Sequence, residues 1–366
     1  METTAPAWTP PYCPNPGCPY HRGPTHGWRW VRTGSFSRQG PPHRIQRFQC
    51  RHCRRHFSEQ TFRTTYWLKC PGLLLPVFHR LLGCSAFRQI AREFAVSPQT
   101  VLTHAARLGR HCLLVHAALR PRGPVLEPLV LDGFESFEFS KYHPTRYHVL
   151  AGQRSHFFYG FTESELRRSG RMTRRQRQRR AVLERDHGRP DPRSSEREVG
   201  ELLLLVLPEP QTLVLHSDQH PDYPRALSRL GHLTVDHRTV SSRAARTPMN
   251  PLFPINLLDL LIRHCGANHK RETIAFSKRR QSAIERLWVL LVWRNYLKAV
   301  SERRRDGSPA MRLGRSERRW TAAELLAQRW FPARVDLPAR WARYYWRQVA
   351  TRMIPNGASH RARYAF

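Results

Sequence analysis

The sequence predicts a multidomain α/β protein with a metal-stapled N-terminal part and a polyanionic partner. Three observations carry that expectation. Two closely spaced cysteine pairs lie in the first 60 residues, strand-like and helix-like segments alternate beyond residue 125, and 62 Lys+Arg against 27 Asp+Glu leave a formal charge of +35. Charge of that size repels itself unless something acidic neutralises it, and it accounts for neither fold nor stability. Hydrophobic residues at 40 %, with 10 Trp and 17 Phe, argue against a disordered basic protein. Only five cations are lysines (Lys69, Lys141, Lys270, Lys278, Lys298). The rest are arginines, which suit bidentate phosphate contacts.

No apolar run approaches the ~20 residues of a membrane span; the longest cover 202–207 and 287–293. The stretch from Met1 to Pro6 lacks the charged start and apolar run of a secretory signal. The expected compartment is the cytoplasm. Cysteines are reduced there, so clustered ones read as metal ligands rather than disulfides.

Residues 1–60 are rich in Pro, Gly, Cys and His. Cys13 and Cys18, then Cys50 and Cys53, offer two pairs of thiolates to one point, as a tetrahedral zinc ion requires. The intervening residues suit a β-ribbon, so this region reads as a zinc ribbon holding one structural zinc. His21, His52 and His56 lie close enough in sequence to replace a cysteine. A segment this short has little core without a metal. Cys70, Cys84, Cys112 and Cys265 are scattered through apolar helices and read as core residues.

Residues 70–117 read as a helical domain containing a helix-turn-helix at 88–108. Ile90, Ala91, Phe94, Val101 and Leu108 are its apolar positions, Ser97 is a natural N-cap and Pro98 a natural first helical residue. Gln99, Thr100, Thr103, His104 and Arg107 then share the outer face of the second helix, from which a recognition helix meets the major groove of double-stranded DNA. A plain helical hairpin is the alternative. The Pro-rich stretch 119–128 reads as a linker.

Residues 125–300 have an α/β order. Strands are expected at 125–139, 147–152, 155–161, 211–216 and 233–240, and helices at 221–230, 254–265 and 278–300. A basic insertion, 163–200, interrupts them, and its 166–180 stretch holds eight arginines. Arg174, Arg175, Arg177, Arg179 and Arg180 are expected on DNA phosphates, with a solvated insertion as the alternative. Residues 301–366 read as a basic, aromatic helical region. Its Trp320, Trp330, Trp341, Trp346, Tyr344 and Tyr345 are expected to pack rather than stack on bases.

Asp132 follows one apolar strand and Asp218 closes another. An acid at the end of a buried strand is costly unless a cation or metal pairs with it. Two such acids on neighbouring strands suit hard divalent ions such as Mg²⁺, and two ions about 3.5–4 Å apart can clamp the attacking and leaving oxygens of a phosphodiester. The third ligand is expected from a helix facing the strand ends. In the 254–264 segment Asn256, Asp259 and Arg263 form one polar stripe on an otherwise apolar helix, which nominates Asp259. Glu285 is the competitor.

With these residues in view, the chain resembles the D-D-E transposases of prokaryotic insertion sequences. The resembling segments are LDGFESFEF (131–139), HSDQHPDYP (216–224), NPLFPINLLD (250–259), RETIAFSKRR (271–280), WRNYLK (293–298) and SPAMRLG (308–314). The resemblance spans roughly residues 10–330. It implies an RNase H-like (retroviral-integrase-like) mixed sheet with flanking helices, dependence on two Mg²⁺ ions, and cleavage and strand transfer of element-end and target DNA. It also implies a homodimer or larger assembly and a place on the nucleoid. Related transposases carry a Glu with an Asn three residues later on the third-ligand helix, whereas here the order is Asn256 then Asp259. That exchange gives a second expectation, a domesticated or inactive transposase acting as a DNA-binding regulator or accessory subunit. An RNase H-fold nuclease or resolvase is a third.

Overall fold

The computed structural model describes residues 8–354 apart from 39, 41, 42 and 242. Met1 to Pro6, read above as lacking a secretory start, and the last part of the basic tail lie outside the described residues.

The chain opens with a cysteine-bearing loop, a one-turn helix α1 (Pro19–Arg22) and an antiparallel sheet of β1 (Trp30–Ser37), β2 (Arg44–Cys50) and β3 (His56–Ser58). Trp30 pairs with Cys50 and Phe48 with Phe57, so the ribbon's end delivers Cys50 to the loop that carries Cys13 and Cys18. A small aromatic core of Tyr12, Phe48, Phe57 and Phe62 fills its inner side. Phe331, from far along the chain, completes that core. Arg334 caps it, with its guanidinium 3.8 Å from the Tyr12 ring centre.

Next come α2 (Leu74–Leu82), α3 (Phe87–Glu93) and α4 (Pro98–Leu119). As expected, Pro98 starts α4 and Ser97 caps it, its hydroxyl accepting from the Thr100 amide at 3.1 Å. The helix is 22 residues long, and beyond Val101 most of it is buried. Gly109 lets it lie against the later helix Arg280–Val292. A Cβ there would sit 2.5 Å from the Glu285 carbonyl oxygen.

The second sheet has five strands: β4 (Leu129–Phe137), β5 (Pro144–Gly152), β6 (Phe158–Glu165), β7 (Gln211–Ser217) and β8 (Leu233–Thr239). Their spatial order is β6-β5-β4-β7-β8, antiparallel on one side of β4 and parallel on the other, so the protein is mixed α/β. The parallel pairs require crossovers, which the helices supply. Between β6 and β7 lie α5 (Arg174–His187) and α6 (Ser194–Val206), and between β7 and β8 lies α7 (Asp222–Leu227). After β8 come α8 (Phe253–Cys265), α9 (Arg280–Val292), a π-turn at Trp293–Leu297, α10 (Pro309–Arg312), α11 (Ala322–Ala327) and α12 (Ala339–Tyr345).

The sequence boundaries change in three places. Helices 74–119, the sheet, and Trp341, Tyr344 and Tyr345 of the C-terminal region share one continuous core, so neither 70–117 nor 301–366 has a core of its own among the described residues. The expected insertion 163–200 is only half an insertion. Its α5 is exposed and strongly basic, but α6 packs on β6 and β5 through Val199, Leu202 and Leu203. Finally, β6 continues to Glu165, past the expected end at 161. Its terminal acids are paired from afar: Arg280 binds Glu138 and Glu165, Arg340 binds Glu163 at 3.2 Å and Glu198, and Arg352 binds Glu165 at 2.9 Å. A buried carboxylate is tolerated only with such a partner, and none of those partners is near in sequence.

Candidate functional site

The register of the mixed sheet sets the position of the first two acids. Leu131 of β4 lies beside Ser217 of β7, so Asp132 and Asp218, each the next residue, stand at the same level where β7 ends. Asp132 is opposite Val149 on its other side and accepts the Gly133 amide on Oδ1 at 2.6 Å. Asp218 accepts the His220 amide at 3.0 Å, the turn that launches α7. α8 packs on β4 and β5 and brings Asp259 within reach of the charge of Asp132. Asp259 Oδ1 is buried and has no hydrogen-bond partner among the described residues.

Asp132 lies within reach of the charge of Asp218, and Asp259 within reach of that of Asp132. Burial raises the pKa of Asp132; the Gly133 amide opposes the shift, the charge of Asp218 adds to it, and Arg146 and Arg246 oppose it. Asp259 is pushed well above the ordinary carboxylate range by burial and then by Asp132, against Arg263 and Arg246. Half-buried acids such as Asp132 and Asp259, with raised pKa values and a like charge beside them, favour whatever cation can reach them. They do not converge on a single point, however. Among the described residues, the only three or more metal-ligating side chains whose donor atoms all lie within 4.8 Å of each other are four cysteines.

Two residues not nominated from the sequence, Tyr223 and Arg146, join the acids, beside Arg263 and Asn256 of the expected polar stripe. Tyr223 of α7 is almost fully buried, and its phenol is held protonated by burial and by the charges of Asp132, Asp218 and Asp259. Its signal was its place five residues after Asp218, at the start of a helix that faces the acid. Arg146 of β5 reaches Glu135 at 2.7 Å and His220 Nε2 at 2.8 Å. The hairpin register that pairs Arg146 with Glu135 is the clue to it. Arg263 donates to the carbonyls of His269 at 2.9 Å and Glu135 at 3.1 Å, which ties α8 to β4. Asn256 is half-buried, one turn before Asp259.

Glu285 does not join the acids. It lies buried where α9 meets α4, paired with Arg347 at 2.9 Å and with Gln281 at 3.3 Å. It is neither solvated nor near the trio's charges: the groups acting on it are Arg347, Arg110 and Gln281.

Cys13, Cys18, Cys50 and Cys53 form the cluster noted above and could hold a metal ion such as zinc. Cys13 and Cys53 sulfurs are 3.6 Å apart, close to the edge of about 3.8 Å that four Zn–S bonds of ~2.3 Å give a tetrahedron. Trp28 Nε1–H donates to Cys50 Sγ at 3.2 Å. Burial alone would raise the Cys50 pKa, but that bond and the backbone amides of Cys53 and His52 outweigh it and hold the thiol at about 7. The three histidines take other partners: His21 Nδ1 meets the Cys13 carbonyl oxygen at 2.8 Å, His52 packs on Tyr20, and His56 pairs with Gln49. Cys112 and Cys265 are buried in the main core, while Cys70 and Cys84 are only half-buried.

The expected DNA-facing residues divide. Gln99 and Thr103 are exposed on the first turns of α4 and Thr100 is half-buried. His104 faces inward instead, with its ring nitrogens 2.8 Å from the carbonyls of Thr100 and Cys70. Arg107 also turns in, donating to the Tyr66 carbonyl at 2.8 Å, and burial followed by Arg329 lowers its pKa to about 10. Helical periodicity assigned both to the outer face; α2 and the Cys70 loop cover that side. On α5, Arg174, Arg175, Arg177 and Arg179 are exposed, whereas Arg180 is held by the Arg168 carbonyl and Glu184.

No helix of the described residues is long and apolar enough to cross a membrane. No protein-family model matches the chain, and no curated protein matches it.

Proposed function

We propose that this chain is a DNA transposase of the D-D-E/D type, with an RNase H-like catalytic body and an N-terminal zinc ribbon, acting on double-stranded DNA. The observation that carries the reading is that Asp132, Asp218 and Asp259, from β4, β7 and α8, lie near enough for Asp218 to act on Asp132 and Asp132 on Asp259. Oxygen ligands of this kind fit hard divalent cations, and the unpartnered Asp259 Oδ1 fits a cation ligand better than a structural acid. Asp132, Asp218 and Asp259 would hold two Mg²⁺ ions. Such ions, when bound, activate water or a 3′-hydroxyl and stabilise the leaving oxygen.

The chain's own part is placement. The β4–β7 pairing sets the spacing of Asp132 and Asp218, and the Gly133 and His220 amides orient their carboxylates. Arg263 and Arg146 border the acids and offer guanidinium groups to a scissile strand. The four cysteines would hold one structural zinc, and the exposed arginines of α5 would neutralise phosphates. Joining two DNA ends requires a homodimer or larger assembly, working in the cytoplasm on the nucleoid.

A second reading is a DNA-binding regulator without chemistry. It is favoured by the short Asp259 side chain and by a trio that does not close to within 4.8 Å. Nicking of supercoiled plasmid, and of a duplex carrying the DNA that flanks the coding gene, separates the two. Magnesium-dependent nicking is expected in the wild type and a fall of at least about 100-fold in Asp132→Ala, Asp218→Ala and Asp259→Ala. Equal activity in all four proteins removes the enzyme reading. Binding with no nicking by any of them supports the regulator.

A further inference from the structure

The fold leaves a large cleft away from the acids. Its volume is about 1030 Å³, and its lining comes from α3, the start of α4, the 267–279 connection and the first turns of α9. Seven lining residues are cations and none is an acid. Two of the seven serve the interior: Arg286 stacks on Phe87 with its guanidinium 3.9 Å from the ring centre, and Arg347 pairs with Glu285. Four others are exposed, Arg88 and Arg92 on α3 and Lys270 and Lys278 on the connection. None of these four has an ion-pair or hydrogen-bond partner among the described residues.

Their arrangement around α4 is informative. With His104 and Arg107 turned inward, the exposed tip of α4 presents Gln99 and Thr103 but no cation. A helix entering the major groove needs uncharged hydrogen-bonding groups at the base edges and cations for the phosphates on either side. The α4 tip has the first, and the second lies on the two walls of this cleft. We propose that the cleft is a duplex-DNA clamp, in which Gln99 reaches base edges while Arg88 and Arg92 on one wall and Lys270 and Lys278 on the other hold the flanking phosphates. The connection that forms the second wall also carries Arg271, whose charge acts on Arg263 beside Asp259. One short segment therefore carries both the second wall of the cleft and a charge that acts beside Asp259. This proposal rests on the DNA-binding part of the reading above and is independent of cleavage.

The test uses the full chain and three probes, a fluorescein-labelled 30-base-pair duplex of arbitrary sequence, a randomised duplex pool and labelled oligo-dT. Titrated across salt concentrations, the double variant Lys270→Gln/Lys278→Gln is expected to flatten the log affinity–log salt slope by about 1.8, at 0.9 per phosphate contact. Exposed cations elsewhere serve as control, and Arg303→Gln/Arg319→Gln is expected to leave the slope near the wild-type value. Selection from the pool is expected to return a consensus for the wild type that Gln99→Ala relaxes at one or two positions and the lysine variant keeps. An unchanged slope in the lysine variant, with an unfolding midpoint equal to wild type, overturns the clamp. So does equal affinity for the duplex and for oligo-dT together with no consensus. Both assays are run without magnesium, so loss of nicking and loss of the clamp are scored separately.

Discussion

Replacing Gly109 by alanine tests how α4 is joined to α9 and the sheet. Alanine normally stabilises a helix interior by about 1 kcal/mol over glycine. At position 109 the added methyl would meet the Glu285 carbonyl oxygen at 2.5 Å and its Cα and Cβ at 2.6 Å. Ordinary van der Waals contact begins near 3.4 Å, so α4 and α9 would have to separate by roughly 1 Å through a close-packed core. Overpacking of a core costs typically 1–3 kcal/mol, and here the obstruction is backbone rather than a movable side-chain end. The upper end of that range outweighs the propensity gain and leaves a net loss of about 1–2 kcal/mol. Gly200 in α6 is the matched control, because nothing lies within 4 Å of a Cβ built there. Urea denaturation of both variants should give opposite signs, Gly109→Ala destabilised and Gly200→Ala stabilised by up to about 1 kcal/mol. A stabilised Gly109→Ala would refute the close α4–α9 contact and, with it, the rigid link to the 267–279 wall.

Two other outcomes follow from the same geometry. Metal analysis should find one zinc per chain in the wild type and in Cys84→Ser. Zinc should be absent from Cys50→Ser, and Trp28 emission should change on chelation because its indole N–H donates to Cys50. His111 and His116 are buried, and burial lowers their pKa values to about 4 and about 3. The unfolded chain therefore takes up their protons below about pH 6.5 while the folded chain does not. Each histidine then subtracts about 1.4 kcal/mol of stability per pH unit as pH falls from that value toward its folded pKa. Between pH 7.5 and 5 the denaturation midpoint should drop more steeply in the wild type than in His111→Gln/His116→Gln. Equal slopes would count against buried neutral histidines.

Local signals gave the parts of the fold that local physics decides. Ser97-Pro98 started α4, apolar runs marked β4 and β7, and two acids at strand ends marked a shared level before any pairing was known. The polar stripe of 256, 259 and 263 marked the side of α8 from which Asp259 comes within reach of the charge of Asp132. Long-range pairing was not legible. Glu163 and Glu165 looked like the start of a solvated insertion because their cations, Arg280, Arg340 and Arg352, lie more than a hundred residues away. His104 and Arg107 looked exposed because the loops that cover them, through the carbonyls of Cys70 and Tyr66, precede the helix by dozens of residues. Asn295, in the segment WRNYLK, resembled a functional motif, yet its amide makes paired bonds of 2.8 Å with the Phe158 backbone and locks the start of β6.

The merging of the expected domains bears on the proposed chemistry. A DNA-binding module on a flexible linker finds its site independently of the active centre, and the distance between recognised bases and the cut is then set by the linker. Here the 119–128 stretch is only the short step from α4 into β4, and α4 shares its core with the sheet. Glu127 in that step is itself clasped by the Arg154 and Ser155 amides at 3.0 and 2.9 Å and by the Tyr159 hydroxyl at 2.9 Å. A rigid offset between Gln99 and the Asp132–Asp218–Asp259 pocket follows, so on the proposed reading the cut falls at one fixed number of base pairs from the recognised sequence. Moving the recognised sequence by one base pair in the substrate should move the cut by one base pair and leave its precision intact. A cut that stays in place, or spreads over several positions, would mean that α4 does not set the register.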